Sequence, residues 1–179
     1  RIITPTSPAC RMKSPFKFLD AYTADDHAVF LGRSEEIAAL YDMVMKNRLI
    51  LVYGQSGTGK TSLIQCGLAN RFDVTDWLPL FIRRQNDLNL SLQQQLARLL
   101  GQTRIESPAA AVSEIYLNFL RPVYLVFDQL EELFILGTPK EQEAFIASIR
   151  ELLDSGVPCR ILFVMREEYL AHLYGFERI

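Results

Sequence analysis

The sequence predicts an α/β domain with a mostly parallel sheet, on three observations. Short apolar runs alternate along the chain with longer segments of helical periodicity, which is the order expected when helices connect parallel strands. The runs are continuously apolar, as in strands that are buried on both faces. One of them, at residues 49–53, ends directly in a glycine-rich segment. We therefore expect one layered unit with a ligand site at the end of that strand.

The elements follow in order along the chain. Ser34 is expected to cap the first helix, with Glu35 and Glu36 in its first turn. The strand at 123–127 has the clearest pattern, because Pro122 precedes it and Asp128 ends it. The apolar runs predict strands at 49–53, 80–82, 123–127 and 160–165. Helical spacing of apolar residues predicts helices after Gly32, over 60–70, 91–100, 109–120 and 140–153, and from 167 onward.

Composition narrows the class of protein. The chain has 179 residues, 49% of them hydrophobic, and a formal net charge of −2. This composition is globular, and it lacks the overall basic charge typical of proteins that bind nucleic acid or anionic membranes. The longest apolar runs fall far short of the roughly 20 residues that a membrane span needs. We expect an extended tail over 1–15 and a single domain over 16–179 that is truncated at its C-terminal end.

The three cysteines predict neither a disulfide framework nor a zinc site. They are Cys10, Cys66 and Cys159, and none lies close in sequence to a second cysteine or a histidine. An odd number of isolated cysteines does not fit either arrangement. A cytoplasmic location is therefore expected.

Residues 54–61 match the pattern of a phosphate-binding loop, or Walker A motif, at every fixed position. Glycines let successive N–H groups approach phosphate oxygens without a Cβ in the way. The helix that follows adds the positive end of its dipole. Lys60 can reach the β- and γ-phosphates, and Thr61 can ligate Mg²⁺. The residues expected to contact the nucleotide phosphates are Gly54, Gln55, Ser56, Gly57, Thr58, Gly59, Lys60, Thr61 and Ser62.

A second motif follows the strand at 123–127. Asp128 stands where a Walker B carboxylate binds Mg²⁺ directly or through water. Hydrolysis also needs a group that orients water and accepts its proton. Gln129 could only orient water, whereas either Glu131 or Glu132 could serve as the base; Glu131 lies nearer Asp128 in sequence. The alternative is that both glutamates lie on a solvated turn.

Together these segments resemble the novel branch of the STAND NTPases, signal-transduction ATPases with numerous domains that are related to AAA+ enzymes. The resemblance covers the chain from about Pro15 to its end. The segments that carry it are Pro15-Phe16-Lys17-Phe18-Leu19, Phe30-Leu31-Gly32-Arg33 with Glu35 and Glu36, the loop at 54–61, and Val126-Phe127-Asp128-Gln129-Leu130-Glu131-Glu132-Leu133-Phe134. Gln129 departs from many STAND relatives, in which a second acid commonly follows the magnesium aspartate.

The resemblance implies a three-layer P-loop NTPase fold of the additional-strand type. Its strand order would be 1-4-3-2, with the fifth strand missing from this chain. Arg166 falls where the family carries its sensor arginine. The residues implied to line the adenine and ribose pocket are Phe30, Leu31, Gly32 and Arg33. Without a fifth strand, the strand at 49–53 would lie at a sheet edge, so we expect self-association or an altered edge.

The expected function is a magnesium-dependent switch that binds ATP and ADP, and that hydrolyses ATP. Its partners would be sensor and effector domains of the same polypeptide. A non-hydrolysing nucleotide-binding scaffold and a DNA-handling AAA+-type ATPase remain as alternatives, although the acidic balance argues against nucleic acid. The basic pair Arg83-Arg84 is expected at a solvated or nucleotide-facing edge rather than at a nucleic-acid contact. Adenine is preferred over guanine by resemblance, and no Asn-Lys-x-Asp guanine-reading string is present.

Overall fold

Four parallel strands form the sheet that the apolar runs predict. A computed structural model describes residues 32–176; the expected tail over 1–15 and the pocket residues Phe30 and Leu31 lie outside this range. The sheet has the order β1-β4-β3-β2, and every neighbouring pair is parallel. The strands are β1 (Leu49–Gly54), β2 (Leu78–Ile82), β3 (Val123–Asp128) and β4 (Cys159–Arg166). The α/β class and the strand order 1-4-3-2 are confirmed.

Helices connect the strands, and several depart from the predicted bounds. The helix expected over 60–70, α2, is α-helical only over Lys60–Ser62, then π-helical over Leu63–Leu68 and 3-10 helical over Ala69–Arg71. The segment expected to be helical from residue 167 is a run of 3-10 turns, Glu167–Phe176. The remaining helices are α1 (Ser34–Lys46), α3 (Leu88–Leu100), α4 (Pro108–Phe119), α5 (Glu131–Ile135) and α6 (Pro139–Asp154). The short helix α5 was not predicted.

Each face of the sheet is covered by helices, which gives three layers. On one face, side chains of β2, β3 and β4 pack against α3, α4 and α6 around Phe127 and Phe145. On the other face, Tyr124 and Val126 of β3 pack against residues of α1 and α2. All six residues of β3 are buried, as a continuously apolar central strand requires. The carboxyl end of β3 is therefore anchored in the core on both faces of the sheet.

Side-chain capping explains several helix starts and corrects one prediction. Asp87 accepts a hydrogen bond from Leu90 N–H, so α3 begins at Leu88, earlier than the predicted residue 91. Ser107 and Thr138 cap α4 and α6 in the same way.

Ser34 does not cap α1, because it lies inside the helix and Arg33 stands at the N-cap position without a capping bond. That prediction was wrong.

The strand β1 lies at an edge of the described sheet. Among residues 32–176 it pairs only with β4, and Tyr53 is 55% exposed. The opposite edge, β2, carries Pro79, which cannot donate a ladder hydrogen bond and so discourages further pairing. The position of β1 at an edge of the described sheet follows from the strand order 1-4-3-2.

Two cysteines belong to the core. Cys66 and Cys159 are both buried, and burial raises the pKa of the Cys159 thiol to about 12. A thiol with so high a pKa stays protonated and unreactive. Cys10 lies outside the described residues. Within residues 32–176, no helix has the length and apolar character to cross a membrane.

A leucine in a left-handed conformation gives a first stability prediction. Leu120 ends α4 with φ 52° and is 74% exposed, so its side chain contributes strain and little burial. We expect Leu120→Gly to stabilise the fold by about 0.5–1 kcal/mol, because glycine adopts this conformation without a Cβ penalty. The matched control, Leu117→Gly in the interior of α4, should destabilise by about 1 kcal/mol. Urea unfolding measures both, and destabilisation by Leu120→Gly would contradict the strain argument.

Candidate nucleotide site

The P-loop segment, residues 54–61, connects β1 to α2 at the carboxyl end of the sheet. Gly57 and Gly59 have φ values of 77° and 76°, a conformation that strongly favours glycine. A Cβ on Gly59 would lie 3.3 Å from Nη1 of Arg33. The turn brings the chain to the start of α2, where the first N–H groups have no carbonyl partner within the helix. This arrangement suits the binding of an anion.

Lys60 is folded back over the P-loop segment. Its Nζ donates hydrogen bonds to the carbonyl oxygens of Gly54, at 2.8 Å, and Gln55, at 2.7 Å. Both acceptors are neutral main-chain groups, so the ammonium carries a charge that no carboxylate balances within these contacts. A phosphate oxygen would be a stronger partner for it.

Arg33 links the start of α1 to the P-loop segment. Its Nη1 donates to the carbonyl oxygen of Thr58 at 2.7 Å, and its Nε pairs with Glu36. Gly32, beside it, has φ 88°. The structure therefore brings one of the four residues predicted for the base pocket, Arg33, into contact with the P-loop segment, which it holds through the Thr58 main chain.

Asp128 ends β3 within reach of Thr61. The Thr61 hydroxyl donates to Oδ1 of Asp128 at 3.0 Å, although the two residues lie on different elements. Asp128 is only 4% exposed. A hydroxyl and a carboxylate are hard oxygen donors of the kind that Mg²⁺ prefers, and Mg²⁺ commonly uses one or two protein ligands with phosphates and waters. The two predicted metal ligands thus lie together in a set that fits the ion. Residues 32–176 hold no cluster of three or more His, Cys, Asp or Glu side chains that could bind a metal ion.

The other oxygen of Asp128 has a partner that the sequence analysis did not assign. Arg83, just after β2, donates to Oδ2 from Nε at 2.9 Å and from Nη2 at 2.5 Å. The Arg83 side chain remains 54% exposed. Both carboxylate oxygens of Asp128 are therefore engaged, one by Thr61 and one by Arg83. The only sequence signal for this pair was the position of a basic residue at a strand end.

Glu131 and Arg166 form the second charged pair of the site. Nε of Arg166 lies 3.2 Å from Oε1 of Glu131, whose side chain is 6% exposed. The Arg166 N–H also donates to Oε2 at 3.4 Å. Arg166 is in register with Gly54 on the neighbouring strand, so the predicted sensor arginine lies beside the start of the P-loop segment. Glu131 is buried, which contradicts the alternative of a solvated turn for this residue.

Glu132 and Gln129 occupy the turn around Glu131. Glu132 is half-buried and close enough to Arg84 to contribute to the raised pKa of that guanidinium, the bond with Glu141 being its largest cause. Gln129 is exposed and has φ 60°, an unusual value for a residue with a side chain. Such strain, immediately after Asp128, is typical of a functional turn.

A buried ion pair next to the site fixes the segment that carries Arg83. Arg84 donates to the carboxylate of Glu141 from Nε and Nη2, both at 2.9 Å. The Leu88 N–H donates to the same carboxylate at 2.8 Å. The side chains are 10% and 4% exposed. Glu141 thus joins the start of α6 to the loop after β2. It is a structural residue that the sequence analysis did not identify.

This pair predicts a pH-dependent stability. Burial acts to raise the pKa of Glu141, but the bonds from Arg84 and the Leu88 N–H outweigh it and lower the pKa below its ordinary value. The charged form therefore stabilises the fold above the ordinary glutamate pKa of about 4.3, and this contribution is lost as the pH falls through the folded-state pKa. We expect Glu141→Gln to cost about 3 kcal/mol at pH 7, because Arg84 loses its buried partner.

Urea unfolding of the wild type and Glu141→Gln at pH 7 and in acid measures this effect. The difference between the two proteins should shrink in acid. Glu143→Gln, at an exposed position of the same helix, is the control and should change the free energy of unfolding little. A difference that stays constant from pH 7 into strong acid would exclude the proposed charge dependence.

The strand order 1-4-3-2 and the P-loop segment between β1 and α2 together define the class of protein, which is a P-loop NTPase. The family model described as Novel STAND NTPase 1 matches residues 15–179. The chain therefore belongs to the novel STAND NTPases. A search of the curated proteins gives no match.

Solved structures support the fold. The Walker-type ATPase PABY2304 of Pyrococcus abyssi superposes with a TM-score of 0.62 at 17% identity, over 93% of this chain and 52% of that one. The ORC2 protein of Aeropyrum pernix, solved in ADPNP–ADP complexes, gives a TM-score of 0.55 at 16% identity, over 82% of this chain and 44% of that one. This chain thus spans about half the length of these two structures, and at such low identity the likeness extends to the fold alone.

Proposed function

We propose that this chain is a magnesium-dependent module that binds ATP and ADP, hydrolyses ATP, and acts as a nucleotide switch for adjoining domains. The convergence of Lys60, Thr61 and Asp128 at the carboxyl end of the sheet is the observation that supports this most strongly. The Lys60 ammonium donates to two main-chain carbonyls of the P-loop segment, next to a hydroxyl and carboxylate pair that fits Mg²⁺. Bound Mg²⁺ would neutralise the charge that develops on the phosphates.

The phosphates would be held by main-chain N–H groups of residues 55–62 and by Nζ of Lys60. On this proposal the ammonium exchanges its two carbonyl partners for phosphate oxygens, which are stronger acceptors. Arg33 keeps the loop in position through the Thr58 carbonyl. We retain Gly32 and Arg33, with Phe30 and Leu31, as the proposed lining of the adenine and ribose pocket.

Glu131 is the proposed general base. A water molecule would attack the γ-phosphorus, the bond to the bridging oxygen of ADP would break, and the carboxylate would accept the proton of the water. Glu131 is paired with Arg166, which supports a coupled role, because a γ-phosphate that attracts the guanidinium would free the carboxylate. Glu132, on the same turn, is the alternative base.

The switch would follow from the difference between ATP and ADP. Only ATP offers a γ-phosphate to Arg166 and Lys60, and a ligand shifts a conformational equilibrium only through such differential contacts. The proposed recipients are sensor and effector domains of the same polypeptide, in the cytoplasm. The edge of β1 is the proposed place for self-association or for a further strand.

A non-hydrolysing scaffold is the second candidate function. The ion pair between Glu131 and Arg166 favours it, since a carboxylate oxygen held by a guanidinium is not available to contact a water molecule. Gln129, where many relatives carry a second acid, also favours slow turnover. We infer no DNA-handling role from the fold likeness to ORC2.

Calorimetry combined with phosphate release tests the proposed function. MgATP and MgADP should bind with dissociation constants in the micromolar range or below, MgGTP should bind more weakly, and MgATP should release phosphate. Tight binding without phosphate release would establish the scaffold instead. Absence of binding by any nucleotide would overturn both proposals.

A further inference from the structure

The guanidinium of Arg83 pairs with Asp128, the carboxylate proposed to bind the metal ion. It contacts Oδ2 through both Nε and Nη2, and Thr61 holds Oδ1. Asp128 is 4% exposed, whereas the Arg83 side chain is 54% exposed. A buried carboxylate without a counter-charge is costly, and here Arg83 supplies that charge. Because the Arg83 side chain is largely exposed, its guanidinium can move away from Asp128 at a lower free-energy cost than a buried cation could.

The surroundings of Arg83 allow this movement while its main chain stays fixed. The next residue, Arg84, is anchored on Glu141 and by a bond from Nη2 to the Asn86 carbonyl. A cavity of about 290 Å³ lies beside the ion pair. It is lined by Arg83 and Asp128 together with polar and aromatic side chains: Gln65, Phe81, Gln85, Ser91, Gln94 and Gln95. The side-chain amides can accept and donate hydrogen bonds, so the displaced guanidinium would have neutral polar partners.

We propose that Arg83 is a displaceable counter-ion that takes the place of the divalent cation at Asp128 when no metal is bound. The inference rests on the proposed function of the same site and adds a regulatory property to it. Two cations in contact with one carboxylate repel each other, so a metal ion bound at Asp128 would weaken the Arg83 contact and favour its release. Nucleotide binding is then less dependent on metal than in a site with an unpaired aspartate, because Arg83 shields the phosphates from the Asp128 charge.

Metal dependence of ADP affinity tests this proposal. The dissociation constant of a fluorescent ADP (mant-ADP) is measured in EDTA and in saturating Mg²⁺. The constant in EDTA divided by the constant in Mg²⁺ reports the coupling between metal and nucleotide. Arg83→Gln should raise this ratio about tenfold or more over the wild type. The change should come from weaker binding in EDTA, since Asp128 would then repel the phosphates, while affinity in Mg²⁺ is unchanged or higher. Arg83→Lys keeps the positive charge but loses the two adjacent N–H donors of the guanidinium, so it should give an intermediate ratio.

Arg98→Gln is the matched control, because it removes one arginine charge from an exposed position on α3. It should leave the ratio at the wild-type value. Circular dichroism and thermal unfolding verify that each variant is folded. If Arg83→Gln changes the ratio no more than Arg98→Gln does, the counter-ion proposal is wrong.

Two other results have distinct meanings. Equal loss of affinity in EDTA and in Mg²⁺ would make Arg83 a phosphate ligand in both states, and would overturn the counter-ion role while leaving the proposed function intact. Failure of the wild type to bind mant-ADP in either condition would overturn the proposed function and the counter-ion role with it.

Discussion

Replacing Lys60 with alanine is expected to lower the affinity for MgATP by about 100-fold or more, because the variant loses charge-assisted bonds to phosphate that are worth about 1.5–3 kcal/mol each. Within residues 32–176, the hydrogen bonds of Nζ go to the carbonyls of Gly54 and Gln55. Losing two bonds to neutral acceptors should cost little stability. Calorimetry measures the affinity, and circular dichroism with urea unfolding verifies the fold.

The control for this change is Lys46→Ala. Lys46 is exposed in the last turn of α1, so its substitution removes the same charge without touching the loop. Its effect on MgATP affinity should stay within about twofold, as expected for a screened surface charge. Equal affinities for the wild type and Lys60→Ala would show that the Lys60 ammonium does not bind the phosphates.

Replacing Glu131 with glutamine is expected to lower the rate of ATP hydrolysis by about 100- to 10,000-fold, the usual contribution of a general base. Glutamine keeps the shape of the side chain and one oxygen for Arg166, so MgATP affinity should change little. Phosphate release under single-turnover conditions measures the chemical step, and calorimetry measures the affinity. The expected outcome is a variant that binds ATP with normal affinity and leaves it unhydrolysed.

Glu132→Gln separates the two candidate bases. Glu132 is half-buried on the same turn, and its substitution should reduce hydrolysis by less than about tenfold if Glu131 is the base. A large loss in Glu132→Gln with normal turnover in Glu131→Gln would reverse the assignment. Normal turnover in both variants would exclude a general base on this turn.

The sheet could be predicted from the sequence because its information is local. Buried parallel strands are continuous apolar runs in the sequence. The strand predicted over 123–127 differs from β3 only in that β3 also includes Asp128. The strand order is not local, and it was predicted through the family resemblance rather than from periodicity. The phosphate loop and Asp128 could be recognised because each has a fixed spacing relative to a strand end.

The partners of the charged residues could not be predicted, because they depend on contacts between distant segments. Arg83 and Asp128 are 45 positions apart, and Arg84 and Glu141 are 57 apart. Only the packing of β2 beside β3, and of α3 beside α6, brings these pairs together. The wrong prediction of Ser34 as the N-cap has a related cause. Arg33 occupies the N-cap position and donates a hydrogen bond to the distant Thr58 carbonyl, and α1 begins one residue earlier than expected.

The helix α5 was missed because it is too short for a helical period to be visible. Its five residues, Glu131–Ile135, follow directly on the strained turn at Gln129. Helices of this length are unstable alone and form only through tertiary contacts. Here those contacts include the bond between Glu131 and the Arg166 N–H. The burial of Glu131 is thus a property of the site and not of the local sequence.

Amide chemical shifts on addition of MgADP test the central claim most directly, namely that the main chain of the P-loop segment holds a polyphosphate. The ¹H–¹⁵N spectrum of the labelled chain is compared before and after saturation. The largest shifts are expected at the N–H groups of residues 56–61, where hydrogen bonds to phosphate oxygens would form, together with a change at Asp128. A spectrum in which those amides stay in place, while others move or none do, would contradict the proposed site.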